Sequence, residues 1–246
     1  MTVYALYNQK GGVGKTAAAV NLAYLFAEEQ WNTLLWDLDP QGAAGFYFNV
    51  SSHKNEAMKL LGNEVTLSSA VQATDYECLS VIPSDLSARN ADVLLAEIKQ
   101  GKKHIRSLLG EVKKDFDIVI IDCPPGLSVL HDNVFHAADF VLIPNIPTTL
   151  SIRSYETVRE FFGKSHLDES KIKSFFSMVD LRKNLHNEVM KEHYRDKIFF
   201  KNYIPYLSDV EKMGVQLAPV ETYAKSSYAA QCYRDLWKEI KKQTLA

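Results

Sequence analysis

The chain has 246 residues, 28 Lys plus Arg against 30 Asp plus Glu, a net charge of −2 and 46% hydrophobic residues. These values exclude a disordered chain and, with only 11 Gly and 8 Pro, a collagen-like or linker sequence. Near-neutrality excludes a uniformly basic nucleic-acid binder while leaving room for local basic patches, and the length suits one large α/β domain over 1–246.

The expected elements alternate between strand and helix. VYALYN at the start reads as a short buried strand, rich in β-formers. GGVGK follows as a turn, then a largely buried helix from Thr16 to Gln30, then a strand over Leu34–Trp36. Strand, glycine turn, helix, strand is a βαβ unit and implies a parallel sheet. Residues 40–75 read as loops and short helices. Leu79–Ile82 is a strand, followed by a helix from Asp85 through Ile98 and a second, basic helix over 102–114. Ile118–Ile121 is four apolar residues in a row, as a buried parallel strand requires, and it ends at Asp122. Then come a strand at Phe140–Ile143, a helix near 150–162, a strand over 174–179, a helix over 184–194, a short strand near 198–204 and a last helix over Tyr228–Lys241. The implied fold class is α/β: a mostly parallel central sheet flanked by helices on both faces.

Three cysteines (Cys78, Cys123, Cys232) with no C-x-x-C spacing fit a reducing cytoplasm and offer no zinc or iron–sulfur ligand set. Neither a secretory h-region nor an apolar run of about 20 residues is present. The seven histidines lack H-x-x-x-H or H-E-x-x-H spacing and read as surface or capping residues rather than ligands.

The strongest chemical signal is Lys10-Gly11-Gly12-Val13-Gly14-Lys15-Thr16 between a strand and a helix. Glycines let backbone N–H groups converge on phosphate oxygens, and the following helix adds its positive N-terminal end. Lys15 can reach the β/γ-phosphates and the Thr16 hydroxyl can ligate Mg²⁺, although a strict phosphate-loop pattern asks for Gly where Gln9 stands. Lys10 cannot easily curl back onto its own phosphates. It either reaches a nucleotide held by a facing subunit or is a solvated lysine at a loop edge.

Asn8-Gln9-Lys10 through Thr16 resembles the deviant Walker A motif of the ParA/MinD family of partitioning and positioning ATPases, closest to its small ParA/Soj-type members. Asp37-Leu38-Asp39-Pro40-Gln41-Gly42 is similar to the family's D-x-D-P-Q-G segment, and Ile120-Ile121-Asp122-Cys123-Pro124-Pro125-Gly126 to its Walker B strand and switch. The resemblance covers essentially the whole chain and implies a P-loop ATPase using ATP and Mg²⁺. It also implies an ATP-sandwich homodimer in which Lys10 crosses into the partner's site. With Lys15, it makes Asp39 catalytic, orienting the attacking water. Asp122 then holds Mg²⁺ through water, and Asp37 either touches Mg²⁺ through water or only ends its strand with a hydrogen bond. Pro124, Pro125 and Gly126 form a turn that senses the γ-phosphate. The adenine would lie near Asp180 and Pro205. Cys123 reads as a small filler.

Two departures stand out. Ala17 replaces the family's second Thr near the α-phosphate, a loss of about one hydrogen bond, roughly 0.5–1.5 kcal/mol. The arginines that bind DNA in chromosomal relatives are matched at Arg182, but those after the Ile-Pro pair are replaced along Ile204–Lys212. Two basic stretches could compensate: 99–114, net +5, and 171–201, net +4, with Arg182, Lys183, Lys191, Arg195 and Lys201 as the candidate DNA contacts. No base-reading motif appears, so such binding would be sequence-independent.

The leading reading is an ATP-driven dimerisation switch that binds DNA non-specifically, answers to a ParB-like partner and positions a plasmid, chromosome or protein cargo. Two others compete. A MinD-like membrane switch needs an amphipathic tail, and only Lys241–Ala246 follow the last helix. A nucleotide-binding adaptor without turnover has Ala17 as its one support. No helix-turn-helix segment precedes Val3, so operator binding is not expected.

Overall fold

The computed structural model describes residues 1–99 and 101–245. In chain order, β1 (Thr2–Leu6) leads to α1 (Lys15–Glu28), β2 (Thr33–Asp37) and three short helices, α2 (Ala43–Tyr47), α3 (Glu56–Leu61) and α4 (Leu67–Ala70). Next are β3 (Gln72–Ala73), β4 (Leu79–Ile82), α5 (Ala91–Glu97), α6 (His104–Leu109), β5 (Ile118–Asp122), α7 (Val129–Ala137) and β6 (Phe140–Asn145). The chain continues through α8 (Thr149–Lys164), β7 (Ile172–Phe176) and α9 (Asn184–His193). It closes with α10 (Ser208–Glu211), α11 (Met213–Gln216), α12 (Val220–Tyr223) and α13 (Tyr228–Thr244).

The strands form one sheet in the order β3-β4-β2-β5-β1-β6-β7, parallel throughout except where β3 meets β4. The central strands are buried along almost their whole length, which is why they read as continuous apolar runs. Their side chains still alternate between faces. Val3, Ala5, Trp36, Val119 and Ile121 join one core with Leu95 of α5, Ile105 of α6, Phe135 of α7 and Phe162 of α8. Tyr4, Leu6, Leu35, Ile118 and Ile120 join the other with Leu22 and Phe26 of α1 and Leu236, Trp237 and Ile240 of α13. The apolar face of α13 is therefore part of the core. No helix among the described residues is long and apolar enough to cross a membrane.

The expected helix over 102–114 is broken: 3₁₀ turns at Gly101–Lys103 and Gly110–Val112 flank the six-residue α6, a glycine opening each turn. The helix expected from Asp85 starts as a 3₁₀ turn, with Asp85 accepting from Ser87 N–H at 2.8 Å, before α5 takes over. β7 ends earlier than expected, and Met178 lies just past it with φ of 53°, outside strand geometry. The segment 198–204 runs beside β7 without forming a regular strand: it meets β7 at the isolated bridge Ser174–Phe199 and through Ile204 N–H to Phe176 O at 2.9 Å, and Pro205 bridges Val179 just beyond. Helix α7 was not expected at all, because Pro124-Pro125-Gly126 reads as a long turn and two His and one Asp dilute its apolar face.

Candidate functional site

Three carboxyl-terminal strand ends meet in one row: Leu6 of β1 is in register with Asp122 of β5, and Asp122 with Asp37 of β2. The loop after β1 lies across these ends, where open α/β sheets bind ligands. Asn8 anchors it. Its side chain is 1% exposed, donates to Pro144 O at 2.8 Å and accepts Lys10 N–H at 2.9 Å. Gly14 has φ of 88°, a backbone conformation that favours glycine, and a Cβ there would sit 2.9 Å from Ser177 Oγ and push that hydroxyl aside. Gly14 precedes α1 without a capping side chain, which leaves the first-turn N–H groups for a ligand.

Lys15 is 6% exposed and donates to Lys10 O at 3.1 Å. Burial lowers its pKa, against the opposing pull of Asp122, Cys123 and Asp39. Asp122 is 1% exposed, and neither carboxylate oxygen has a hydrogen-bond partner. Burial, then the neighbouring Asp37, pushes its pKa well above the carboxylate range, while the nearby Thr16 hydroxyl and Lys15 oppose the rise. Asp37 is equally buried but satisfied: its oxygens accept from Asp39 N–H and Ala44 N–H, each at 2.9 Å. Burial raises its pKa to about 7 despite those two donors. Asp39 is half-exposed, and its carboxylate accepts Gln41 N–H at 2.9 Å. Burial also pushes the Cys123 thiol well up, which keeps it a neutral filler.

A buried carboxylate with two orphaned oxygens, facing an ammonium and a threonine hydroxyl, fits a hydrated Mg²⁺ carried in with phosphates. Among the described residues no group of three or more His, Cys, Asp or Glu could hold a metal without such a ligand.

The turn after Asp122 is tied to the loop. Gly126 N–H donates to Gln9 O at 3.0 Å, and Tyr7 Oη–H donates to Gly126 O at 2.7 Å. The structure thus brings the loop from Lys10 to Ala17, the three aspartates and the Pro124–Gly126 turn to one place. Pro205 bridges Val179, two residues beyond Ser177, whose hydroxyl lies nearest Gly14. The basic candidates lie after β7. Arg182 is 89% exposed, and its guanidinium forks onto Asp180 at 2.8 and 2.9 Å, lowering that carboxyl's pKa to about 2. Lys183 precedes α9. Lys191 and Lys201 line a cavity of about 610 Å³ with Phe176, Met190, Tyr194 and Tyr203, and Arg195 lines the adjoining groove.

Sequence reasoning missed Asn8, Tyr7, Ser177 and His131 as parts of the site. Asn8 stands inside the Asn8–Thr16 motif and Tyr7 directly before it, where it reads as an ordinary apolar strand residue; Ser177 and His131 carry no local signal because chain-distant elements bring them in. His131, expected at the surface or at a cap, is 2% exposed.

The AAA_31 family model, an AAA domain, matches residues 1–175. The chromosome-partitioning ATPase Soj of Treponema pallidum is 32% identical over 248 residues, which cover 95% of this chain and 94% of Soj. This chain belongs to the ParA/Soj family of P-loop ATPases. The fold agrees with that membership. A plasmid partition protein from Borrelia burgdorferi, solved with AMPPNP, superposes with a TM-score of 0.85 at 21% identity over 98% of this chain and 99% of that one. Cobyrinic acid a,c-diamide synthase from Mycobacterium smegmatis, solved with an ATP analogue and magnesium, gives 0.81 at 26% identity over 97% and 93%.

Proposed function

We propose that the chain is a ParA-like switch that binds ATP with Mg²⁺, dimerises face to face, and hydrolyses ATP slowly until a ParB-like partner accelerates it, so positioning a plasmid, chromosome or protein cargo. The observation that carries this reading is Asp122: a buried, unpartnered carboxylate beside Lys15 and Thr16 is costly unless a ligand completes it. When bound, Mg²⁺ would supply charge neutralisation on the phosphates. The chain's own residues do the rest. The amides of Gly11 to Ala17 cradle phosphate, Lys15 supports it, and Asp122 and Thr16 hold the metal's shell. Asp37, with its oxygens on Asp39 and Ala44, fixes the strand end from which Asp39 orients water. Lys10, at the half-buried edge of the loop, is the residue that reaches the partner's nucleotide. Pro205 borders the adenine.

Non-specific DNA contact by Arg182, Lys183, Lys191, Arg195 and Lys201 belongs to the same proposal. Among the described residues the ion pairs in this stretch are Arg182 with Asp180 and His193 with Asp196. Lys173, Lys191, Arg195, Lys197 and Lys201 are left outside them. The deciding experiment is retention on DNA with ATP, with ADP and without nucleotide, at two salt concentrations. Retention with ATP only, lost at the higher salt, supports the switch. Retention regardless of nucleotide, or none, sinks the DNA arm. Lys10→Ala should dimerise poorly and lose partner-stimulated turnover.

A further inference from the structure

The turn Cys123–Ser128 carries the chain from Asp122 to α7, and its geometry depends on an imidazole. His131 Nε2 lies 3.0 Å from Pro124 O, and Nδ1 lies 2.8 Å from Ser128 Oγ. A carbonyl oxygen only accepts, so Nε2 carries a proton, and in the neutral ring Nδ1 accepts from the serine hydroxyl. Burial favours that neutral form, holding the His131 pKa below its ordinary value; of the charges facing it, Asp92 opposes that shift and Lys15 reinforces it.

Helix capping does not account for this arrangement. Ser128 is the N-cap of α7, yet its hydroxyl makes no capping bond. Asp92 of α5 caps the helix instead, accepting Leu130 N–H at 2.9 Å, which frees Ser128 for His131. The other side of the turn is held by Tyr7, whose hydroxyl donates to Gly126 O. The Tyr7 ring meets His131 edge-on at 5.0 Å and Phe135 at 4.9 Å, so the two clamping residues also fix each other. Tyr7 is fully buried, and it ends the run that feeds the phosphate loop.

We propose that Tyr7 and His131 are positioning residues for hydrolysis, clamping the Pro124–Gly126 turn from both sides so that it keeps one register against the phosphate loop and holds Asp122 in place. This rests on the ATPase reading above for its link to the reaction. The clamp itself is a property of the chain without ligand.

The test uses Tyr7→Phe, which removes one hydroxyl, and His131→Leu, which keeps volume but loses both bonds, with His131→Gln as the conservative rescue. Amide hydrogen exchange in the ligand-free protein is the first readout. The amides of Gly126, Leu127 and Ser128 should exchange about tenfold faster in the first two variants, with β1 and β5 unchanged. Turnover at saturating ATP should fall about tenfold while ATP affinity stays within about threefold, and His131→Gln should recover part of both effects. Unchanged exchange in the turn overturns the clamp. Faster exchange throughout the protein shows a merely structural role and overturns it equally. Faster local exchange with full turnover overturns the link to hydrolysis. If the parent protein binds ATP without turning it over, the ATPase reading fails together with that link, and the exchange data alone decide the clamp.

Discussion

Asp122 and Asp37 sit side by side at adjacent strand ends, yet their surroundings treat them differently. Asp37 takes two backbone donors, whereas Asp122 takes none. Both have pKa values raised by burial, so the folded chain holds their protons more tightly than the unfolded chain. The sign follows: stability falls as pH rises from about 4, the unfolded carboxylate value, through about 7 for Asp37. Asp122→Asn removes the buried carboxyl that no hydrogen bond compensates. Ligand-free Asp122→Asn should therefore melt higher than the parent at pH 7, with the gap shrinking toward pH 4, and it should bind ATP with Mg²⁺ more weakly. A thermal melt series across that range checks the first statement, and a parent that melts no lower than the variant at pH 7 refutes it. The position of Asp122 at a strand's end was legible from the four apolar residues before it. Its lack of partners was not, because hydrogen bonding is decided by which backbone amides the fold brings near.

Elements join the site through a buried polar relay that no local pattern announces. Asn145, at the end of β6 and fully buried, accepts from Asn8 at 3.2 Å and from Ser151 of α8 at 3.3 Å, and donates to Ser174 of β7 at 2.8 Å. Two strands, a helix and the start of the phosphate loop thus depend on one amide. Asn145→Ala leaves the buried Ser151 hydroxyl without its acceptor, at about 1–3 kcal/mol, while Asn8 keeps Pro144 O and Ser174 keeps Ile143 O. The expected outcome is a marked drop in urea midpoint together with weaker nucleotide binding, since Asn8 shapes the loop. Stability that falls while nucleotide affinity holds would separate the relay from the loop. The central strands were readable, because VYALYN, Leu34–Trp36 and Ile118–Ile121 are short apolar runs bounded by turn signals, whereas β3 lies in a stretch that reads as loops and short helices. Helix α7 escaped notice because its buried His131 and Asn133 look like surface residues until their partners are known. The segment 102–114 looked like one helix because its basic residues give no sign of the 3₁₀ turns that flank α6.

Across the whole molecule the net charge of −2 conceals an uneven distribution. Lys102 pairs with Asp132 at 2.9 Å, and among the described residues Lys191, Arg195 and Lys197 form no ion pair, while Lys201 Nζ lies 5.7 Å from the Tyr194 ring. Replacing Lys191 and Lys201 together by Ala should weaken ATP-dependent DNA retention and flatten its salt dependence, by a slope of about 2 per protomer on logarithmic axes. An unchanged slope would place the contact elsewhere. The strand order has a consequence for synthesis. β1 is made first but lies between β5 and β6, and Val3 N–H bonds to Asp139, 136 residues away. At ribosomal speeds the apolar strand waits on the order of 10 s for its neighbours, which is time in which it can aggregate. A chain cut before β6 would contain every residue of the phosphate loop and still fail to bind nucleotide, because half of the scaffold under that loop had not yet been made.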